Sequence, residues 1–142
     1  MKFLVLAEGK LKDRALRSWV DEYQKRISRH VAVVEIEVKN GQEFAKKLPA
    51  GSFVVALEVN GEGLSSVAFA ERLQGWASAG RGSVCFVIGG AEGIPKQLSR
   101  SANFRLSLSP MTMPHRLARV VLFEQLYRAL TIQRGEPYAR ES

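Results

Sequence analysis

Short apolar runs alternate with longer segments of helical periodicity along nearly the whole chain, and this alternation limits the possible folds more than any other feature. The apolar runs, which we interpret as strands, cover residues 3–7, 31–38, 52–58, 83–90 and 102–109. The periodic segments, which we interpret as helices, cover residues 13–29, 42–48, 65–78, 95–102 and 113–134. Strands that alternate with helices form a mostly parallel sheet with helices on both faces. The sequence therefore predicts an α/β fold.

The size and composition of the chain predict one domain spanning residues 1–142. A chain of 142 residues with 46% hydrophobic and 25% charged residues can bury a core without disulfides or metals. Cys85 has no second cysteine to pair with and lies in an apolar run, which favours a buried, unreactive thiol over a reactive one. No apolar stretch reaches the roughly 18 to 20 residues of a membrane span, and the N-terminal apolar segment is too short for a signal peptide. We therefore expect a cytoplasmic protein.

Three segments that follow predicted strands are candidates for a ligand site, because ligands of open α/β sheets bind beyond the carboxyl ends of the strands. They cover residues 57–63, 88–94 and 106–115. The second contains Gly89, Gly90 and Gly93, which would let backbone amides approach a ligand closely. This glycine pattern differs from the dinucleotide fingerprint and is equally compatible with a plain tight turn.

The third segment contains prolines, hydroxyls and methionines directly before the last helix. Thr112 is a candidate cap for that helix, with Pro114 in its first turn, and Met111 and Met113 offer soft apolar surface for a flat ring or a thioether. His115 fits the exposed start of a helix better than a metal ligand or a base, since no second histidine or cysteine lies nearby. With two dispersed histidines and one cysteine, we exclude a structural zinc site.

The last predicted helix is apolar on nearly every side, which is typical of a helix packed against both its own sheet and a further surface. In a chain this small, a second copy could provide that further surface. Glu124 and Arg128 lie four residues apart in this apolar setting. Such a pair is either a structural ion pair or part of a functional site.

Three segments, FVIGGAEGI, LSLSPMTMPHRLARVVLFEQLYRA and GEPYAR, together resemble the RlmH family. Its members are small single-domain methyltransferases of the SPOUT superfamily that act on pseudouridine in 23S ribosomal RNA. The resemblance covers essentially the whole chain and is most specific from Phe86 to the end. It implies a C-terminal trefoil knot, a homodimer, and S-adenosylmethionine as the cofactor. The reaction that it implies is methylation at N3 of a pseudouridine in the large subunit of assembled ribosomes.

The resemblance also implies which residues form the site. Cofactor-binding positions of the family are matched here by Leu57, Gly89, Gly90, Ser109, Pro110, Met111, Thr112, Met113 and Pro114. Glu124 and Arg128 match positions that shape the substrate site, and Tyr138 and Arg140 match the family tail. Composition alone makes residues 135–142 a fraying terminus, whereas the resemblance makes them an active-site flap.

One departure from the family pattern keeps two alternatives open. Family members carry a histidine after the tail tyrosine, and this chain has Ala139. If that histidine assists proton transfer or positions the base, this chain is slower, or Tyr138 and Arg140 compensate. The alternatives are a cofactor-binding module, associated with the ribosome or RNA, with weak or lost catalysis, and a SPOUT methyltransferase that acts on transfer RNA.

The basic residues are compatible with a phosphate-rich partner. The net charge is +7, and the basic residues are spread along the chain, so a nucleic acid would bind a folded surface. We expect Lys12, Arg14, Arg116 and Arg119 to contact phosphates of ribosomal RNA, with the usual salt sensitivity.

Overall fold

The computed structural model describes residues 1–141, which form a five-stranded, all-parallel sheet with helices on both faces. The strands are β1 (Lys2–Glu8), β2 (Ala32–Val38), β3 (Phe53–Gly63), β4 (Ser83–Ile88) and β5 (Phe104–Ser107). The helices are α1 (Arg14–Ser28), α2 (Phe44–Lys47), α3 (Ser66–Ala79), α4 (Lys96–Ser101) and α5 (His115–Gln133), with 3-10 turns at Gly41–Glu43 and Pro137–Glu141. The strand order is β2-β1-β4-β3-β5, and each pairing is parallel. The predicted α/β fold is confirmed.

Alternating side chains of the buried strands supply two cores, one on each face of the sheet. Phe3, Val5 and Phe86 belong to the larger core, which α1, α3 and α5 cover. Leu6 and Val87 belong to the smaller core, under α2 and α4. Strands that are buried on both faces have nearly continuous apolar sequences, and this pattern predicts β1 and β4.

Helix α5 contacts α1 and α3 on the larger face, and this position explains why it is apolar on nearly every side. Its side chains Leu122, Phe123 and Leu126 are fully buried. Helices of the same chain therefore cover part of the surface for which the sequence analysis considered a second copy. The homodimer and the trefoil knot both stay predictions.

Strand β3 extends further than the sequence predicts. The sequence predicts a strand that ends at residue 58, but β3 continues to Gly63. The pairing with β5 shifts register, because Leu57 and Glu62 both pair with Leu106. A register shift of this kind lets a strand bend beside a site without ending its ladder.

Cys85 lies on β4 and is fully buried. Burial raises the pKa of its thiol to about 12. A thiol that stays protonated at neutral pH is a poor nucleophile, so the structure supports the unreactive alternative.

Within residues 1–141, none of the helices combines the length and the apolarity needed to cross a membrane. The same part of the chain has no group of three or more histidine, cysteine, aspartate or glutamate side chains arranged to hold a metal ion.

Candidate functional site

A pocket of about 360 Å³ opens beyond the carboxyl ends of β4 and β5 and beside the middle of β3. This volume falls within the roughly 300–1,000 Å³ typical of small-molecule sites. All three segments selected from the sequence contribute to its wall. The lining residues are Leu57, Glu58, Val59, Ile88, Gly89, Gly90, Glu92, Gly93, Ile94, Leu106, Leu108, Ser109, Met111, Met113, His115 and Ala118.

Most of the predicted cofactor residues meet at this pocket. Those that line it are Leu57, Gly89, Gly90, Ser109, Met111 and Met113. Pro110, Thr112 and Pro114 belong to the same segment but are not among the lining residues.

The predicted Thr112 cap is wrong. Helix α5 begins at His115, and Pro114 occupies the cap position without a side-chain hydrogen bond. A residue that precedes a proline avoids helical conformation, which keeps Met113 outside the helix. His115, predicted as an exposed helix start, is half-buried and lines the pocket.

The loop between β4 and α4 needs glycine for its own packing. A Cβ on Gly89 would lie 2.4 Å from the carbonyl carbon of Gly93, and a Cβ on Gly90 would lie 2.7 Å from Glu8 Oε2. Gly93 has a φ of +79°, a conformation that side chains rarely adopt. Because Gly89, Gly90 and Gly93 also line the pocket, the loop presents backbone without side chains to it at these positions.

Local hydrogen bonds hold the other walls of the pocket. Ser109 Oγ accepts from the amide of Met111 at 3.0 Å, and the Ser109 carbonyl accepts from Ser107 Oγ at 2.9 Å. Ser99 Oγ, on α4, donates to Glu58 Oε2 at 2.9 Å. With methionine and leucine side chains beside these polar groups, the wall fits a ligand that combines a flat ring, hydroxyls and a sulfur atom.

Glu58 and Glu92 are pocket residues that the sequence analysis missed. Both lie inside the selected segments, and Glu58 directly follows Leu57, which the family resemblance implied. The available signal was position alone: Glu92 follows the end of β4, and Glu58 closes the apolar run of residues 52–58, at the edge of the sheet where site residues collect.

Glu124, Arg128 and Tyr138 form a second polar group, which we call the tail cluster. Arg128 Nη2 donates to Glu124 Oε2 at 2.7 Å, and Tyr138 Oη donates to the same oxygen at 2.8 Å. The hydroxyls of Tyr138 and Tyr23 are 3.2 Å apart, and the Tyr127 ring meets the Tyr138 ring edge-on at 4.7 Å. The turn at Pro137–Glu141 is thus docked onto α1 and α5 through Tyr138, not frayed, and residue 142 lies outside the described residues. Glu124 and Arg128 therefore form an ion pair, and their part in a functional site stays a prediction.

Electrostatics fix the charge states in the tail cluster. Burial, with hydrogen bonds to Tyr23 and Glu124, raises the pKa of Tyr138 well above its ordinary value. The hydrogen bond to Glu124 likewise raises the pKa of Arg128. At neutral pH the cluster therefore presents a neutral Tyr138 phenol and a charged Arg128 guanidinium.

The pocket and the tail cluster lie apart along α5 within one chain. Ala118 lines the pocket, and Glu124 follows six residues later, about 9 Å along the helix axis at 1.5 Å per residue. Arg128 lies about 15 Å from Ala118 on the same basis. Arg140, the fourth predicted substrate-site residue, is exposed on the tail turn. One chain by itself does not bring all the predicted site residues together.

Arg119 cannot contact RNA phosphates, so that prediction is wrong. Its side chain is 1% exposed and pairs with two carboxylates of the edge strand β2, with Glu35 at 3.0 Å and with Glu37. It also donates to the carbonyl of Gly9 at 2.9 Å. Arg17 pairs with the same two carboxylates, so two guanidiniums and two carboxylates form a largely buried network between α1, α5 and β2.

Comparisons with known proteins agree with this geometry. A family model described as "Predicted SPOUT methyltransferase" matches residues 1–139. A protein of Sorangium cellulosum named "Ribosomal RNA large subunit methyltransferase H" is 51% identical, and the match covers 98% of this chain and 99% of that protein. A protein of the same name from Acetivibrio thermocellus is 38% identical, over 99% of this chain and 100% of that protein.

A solved structure shares the fold. It is a probable methylase family protein from Haemophilus influenzae, with a TM-score of 0.64 at 11% identity. The match covers 96% of this chain and 69% of that chain.

Proposed function

Because the chain belongs to the SPOUT methyltransferase family, we propose that it methylates N3 of a pseudouridine in 23S ribosomal RNA of the large subunit, with S-adenosylmethionine as the donor. The observation that carries this proposal is the pocket, which the three segments matching the family's cofactor loops build together. The names of the relatives, which specify the large-subunit ribosomal RNA, support the substrate class.

The pocket residues would hold the cofactor as follows. The bare backbone of Gly89 and Gly90 and the Ser109 segment would bind the adenosyl part, and Met111 and Met113 would supply apolar contacts. S-adenosylmethionine supplies an activated methyl group, so the protein contributes alignment of donor and acceptor and exclusion of water.

The tail cluster would serve the acceptor. N3 of pseudouridine is a weakly acidic imide that must lose its proton at or near methyl transfer. The Arg128 guanidinium would favour the anionic ring by charge and hydrogen bonding. Glu124 accepts from both Arg128 and Tyr138, and this would fix the orientation of the guanidinium. Arg140 is a second candidate for the same role.

A second copy of the chain would bring the tail cluster to the pocket. The two groups lie apart in one chain, and apolar side chains remain exposed both near the cluster and near the pocket end of α5. Trp19 is 52% exposed and stacks on Tyr23, which contacts Tyr138, and Leu117 on α5 is 41% exposed. We therefore place the dimer contact on the α1 and α5 face. Sedimentation tests this: a monomer at micromolar concentration would contradict a site shared between two chains.

Exposed basic residues would hold the RNA backbone. Lys12, Arg14 and Arg116 are exposed. Such contacts add affinity without reading sequence, so a chain this small would select its target by the shape of the assembled ribosome. The corresponding location is the cytoplasm.

A second candidate function follows from Ala139. A chain that binds the cofactor and ribosomes but transfers methyl groups slowly would fit the absence of the family histidine. Ala139→His distinguishes the two: a clear rise in turnover at unchanged cofactor affinity would show that the alanine limits catalysis.

The deciding experiment incubates the protein with S-adenosylmethionine carrying a labelled methyl group and, separately, with ribosomes, naked ribosomal RNA and transfer RNA. Label at N3 of pseudouridine in 23S RNA is the expected result. Label in transfer RNA alone would indicate the alternative substrate. If no RNA acquires label, the enzymatic proposal fails.

A further inference from the structure

The pocket is lined by carboxylates, although the protein as a whole is basic. Among the described residues that line it, Glu58 and Glu92 are acidic, none is lysine or arginine, and His115 is the other titratable group. Glu8 adds a third carboxylate directly behind Gly90. In a chain of net charge +7, this is a local reversal of sign.

Glu58 is the carboxylate best placed to act on a ligand. It is half-buried, and its Oε2 accepts the hydrogen bond from Ser99 Oγ at 2.9 Å. Ser99 is itself held, because its carbonyl accepts from Arg105 Nη1 at 2.9 Å. Glu92 is exposed, so water and salt screen its charge more strongly.

The donor and the product of methyl transfer differ in charge. S-adenosylmethionine carries a sulfonium, an ammonium and a carboxylate, whereas S-adenosylhomocysteine has a neutral thioether in place of the sulfonium. A half-buried carboxylate of fixed orientation favours the ligand with the additional positive charge. The ammonium, the carboxylate and the ribose are common to both molecules and provide no discrimination.

We propose that Glu58, oriented by Ser99, makes the pocket select the sulfonium cofactor over its neutral thioether product. This inference rests on the function proposed above and assigns a residue that sets cofactor specificity. Release of S-adenosylhomocysteine would then be favoured by the reaction, because transfer of the methyl group removes the sulfonium charge that Glu58 stabilises. Because a carboxylate of this kind stabilises the bound donor more than the charge-dispersed transition state, it lowers KM without raising kcat.

The test is calorimetric titration of the purified protein and of Glu58→Gln with S-adenosylmethionine, S-adenosylhomocysteine and sinefungin, which carries an ammonium in place of the sulfonium. The substitution should weaken binding of both cationic ligands roughly three- to tenfold, as expected for loss of one partly screened charge. Binding of S-adenosylhomocysteine should change less than twofold. In turnover assays KM should rise while kcat does not fall.

Matched variants separate charge selection from a structural effect. Glu62→Gln removes a carboxylate from the same strand outside the pocket lining, and it should leave all three affinities unchanged. Ser99→Ala keeps the Glu58 charge but releases its orientation, so it should give a smaller loss of selectivity in the same direction, even if Glu58→Gln folds poorly.

Each remaining outcome overturns the inference. Equal weakening of all three ligands would mean that Glu58 contacts a group that they share. Unchanged affinities would mean that it contacts none of them. If the unaltered protein binds neither S-adenosylmethionine nor S-adenosylhomocysteine, the proposed cofactor fails as well.

Discussion

Replacing Arg119 with methionine should destabilise the fold by about 3 kcal/mol, near the lower end of the range for breaking a buried ion pair. Arg119 makes hydrogen bonds to Glu35, Glu37 and the Gly9 carbonyl while almost fully buried. Methionine fills similar space but leaves the two carboxylates without this partner. Arg17 still pairs with both, which is why we expect the lower end of the range.

Urea denaturation measures the loss of unfolding free energy in Arg119→Met. The salt dependence of RNA binding is the second measurement, and it tests whether Arg119 contacts phosphate. A loss of about 3 kcal/mol is a large share of the 5–15 kcal/mol typical of small domains, so the unfolding midpoint should fall clearly. RNA affinity of the folded variant should keep its slope against salt concentration, since a buried guanidinium neutralises no phosphate.

Arg116→Met is the matched control, because Arg116 is an exposed arginine three residues earlier on α5. It should change stability by less than about 0.5 kcal/mol, while its salt slope should become shallower. Adding Glu35→Gln to Arg119→Met should recover part of the lost stability by removing an uncompensated charge. The reasoning is refuted if Arg119→Met costs under about 1 kcal/mol, or if it flattens the salt slope and Arg116→Met does not.

Three further perturbations test other parts of the argument. Gly89→Ala places a Cβ against the Gly93 backbone, so calorimetry should show cofactor affinity reduced more than tenfold; affinity equal to the unaltered protein would contradict the loop geometry. Tyr138→Phe removes the hydrogen bond to Glu124, so turnover should fall roughly five- to twentyfold, which corresponds to about 1–2 kcal/mol. Cofactor affinity should stay constant, and a parallel fall in that affinity would argue against a role confined to the RNA base that accepts the methyl group. For Glu37, burial alone would raise the carboxyl pKa, but the hydrogen bonds from the amide of Leu11 and from Arg119 outweigh it and hold the pKa below its ordinary value. Its stabilising effect is therefore present above the unfolded carboxyl pKa of about 4.3 and is lost as pH falls through the lower folded pKa. The difference in unfolding free energy between the unaltered protein and Glu37→Gln should therefore vanish as the pH falls below about 4.3 and through the folded pKa. A constant difference down to pH 2 would contradict the lowered pKa of Glu37.

The outline of the candidate site was predictable from local sequence because each part of it is a local feature. The glycines of residues 88–94 follow a continuous apolar run, so their place at the carboxyl end of a buried parallel strand could be inferred. The segments 57–63 and 106–115 could be selected for the same reason, whereas Leu57 and Ser109 within them were implied by the family resemblance. Glu58 was missed because nothing in its immediate neighbours distinguishes a pocket carboxylate from a solvated one.

Tertiary structure decided which charges are used for stability and which are available for binding. Arg116 and Arg119 look alike in sequence, but α5 directs Arg116 to solvent and Arg119 toward β2. Arg119 meets a carboxylate 84 positions earlier in the chain. Only the order of strands in the sheet and the docking of α1 and α5 bring those groups together.

The C-terminal segment shows the same division. The sequence by itself determined that the helix stops at Gly135 and that a tyrosine follows, because glycine and proline act on the backbone locally. Only the fold decided that the hydroxyl of Tyr138 reaches Glu124 and Tyr23, and that this cluster lies some distance from the pocket along α5. The spacing of apolar residues shows which face of a helix is buried, because residues three or four positions apart lie on the same face. The pairing of polar groups depends on elements distant in the chain, and a single sequence carries no local signal for it.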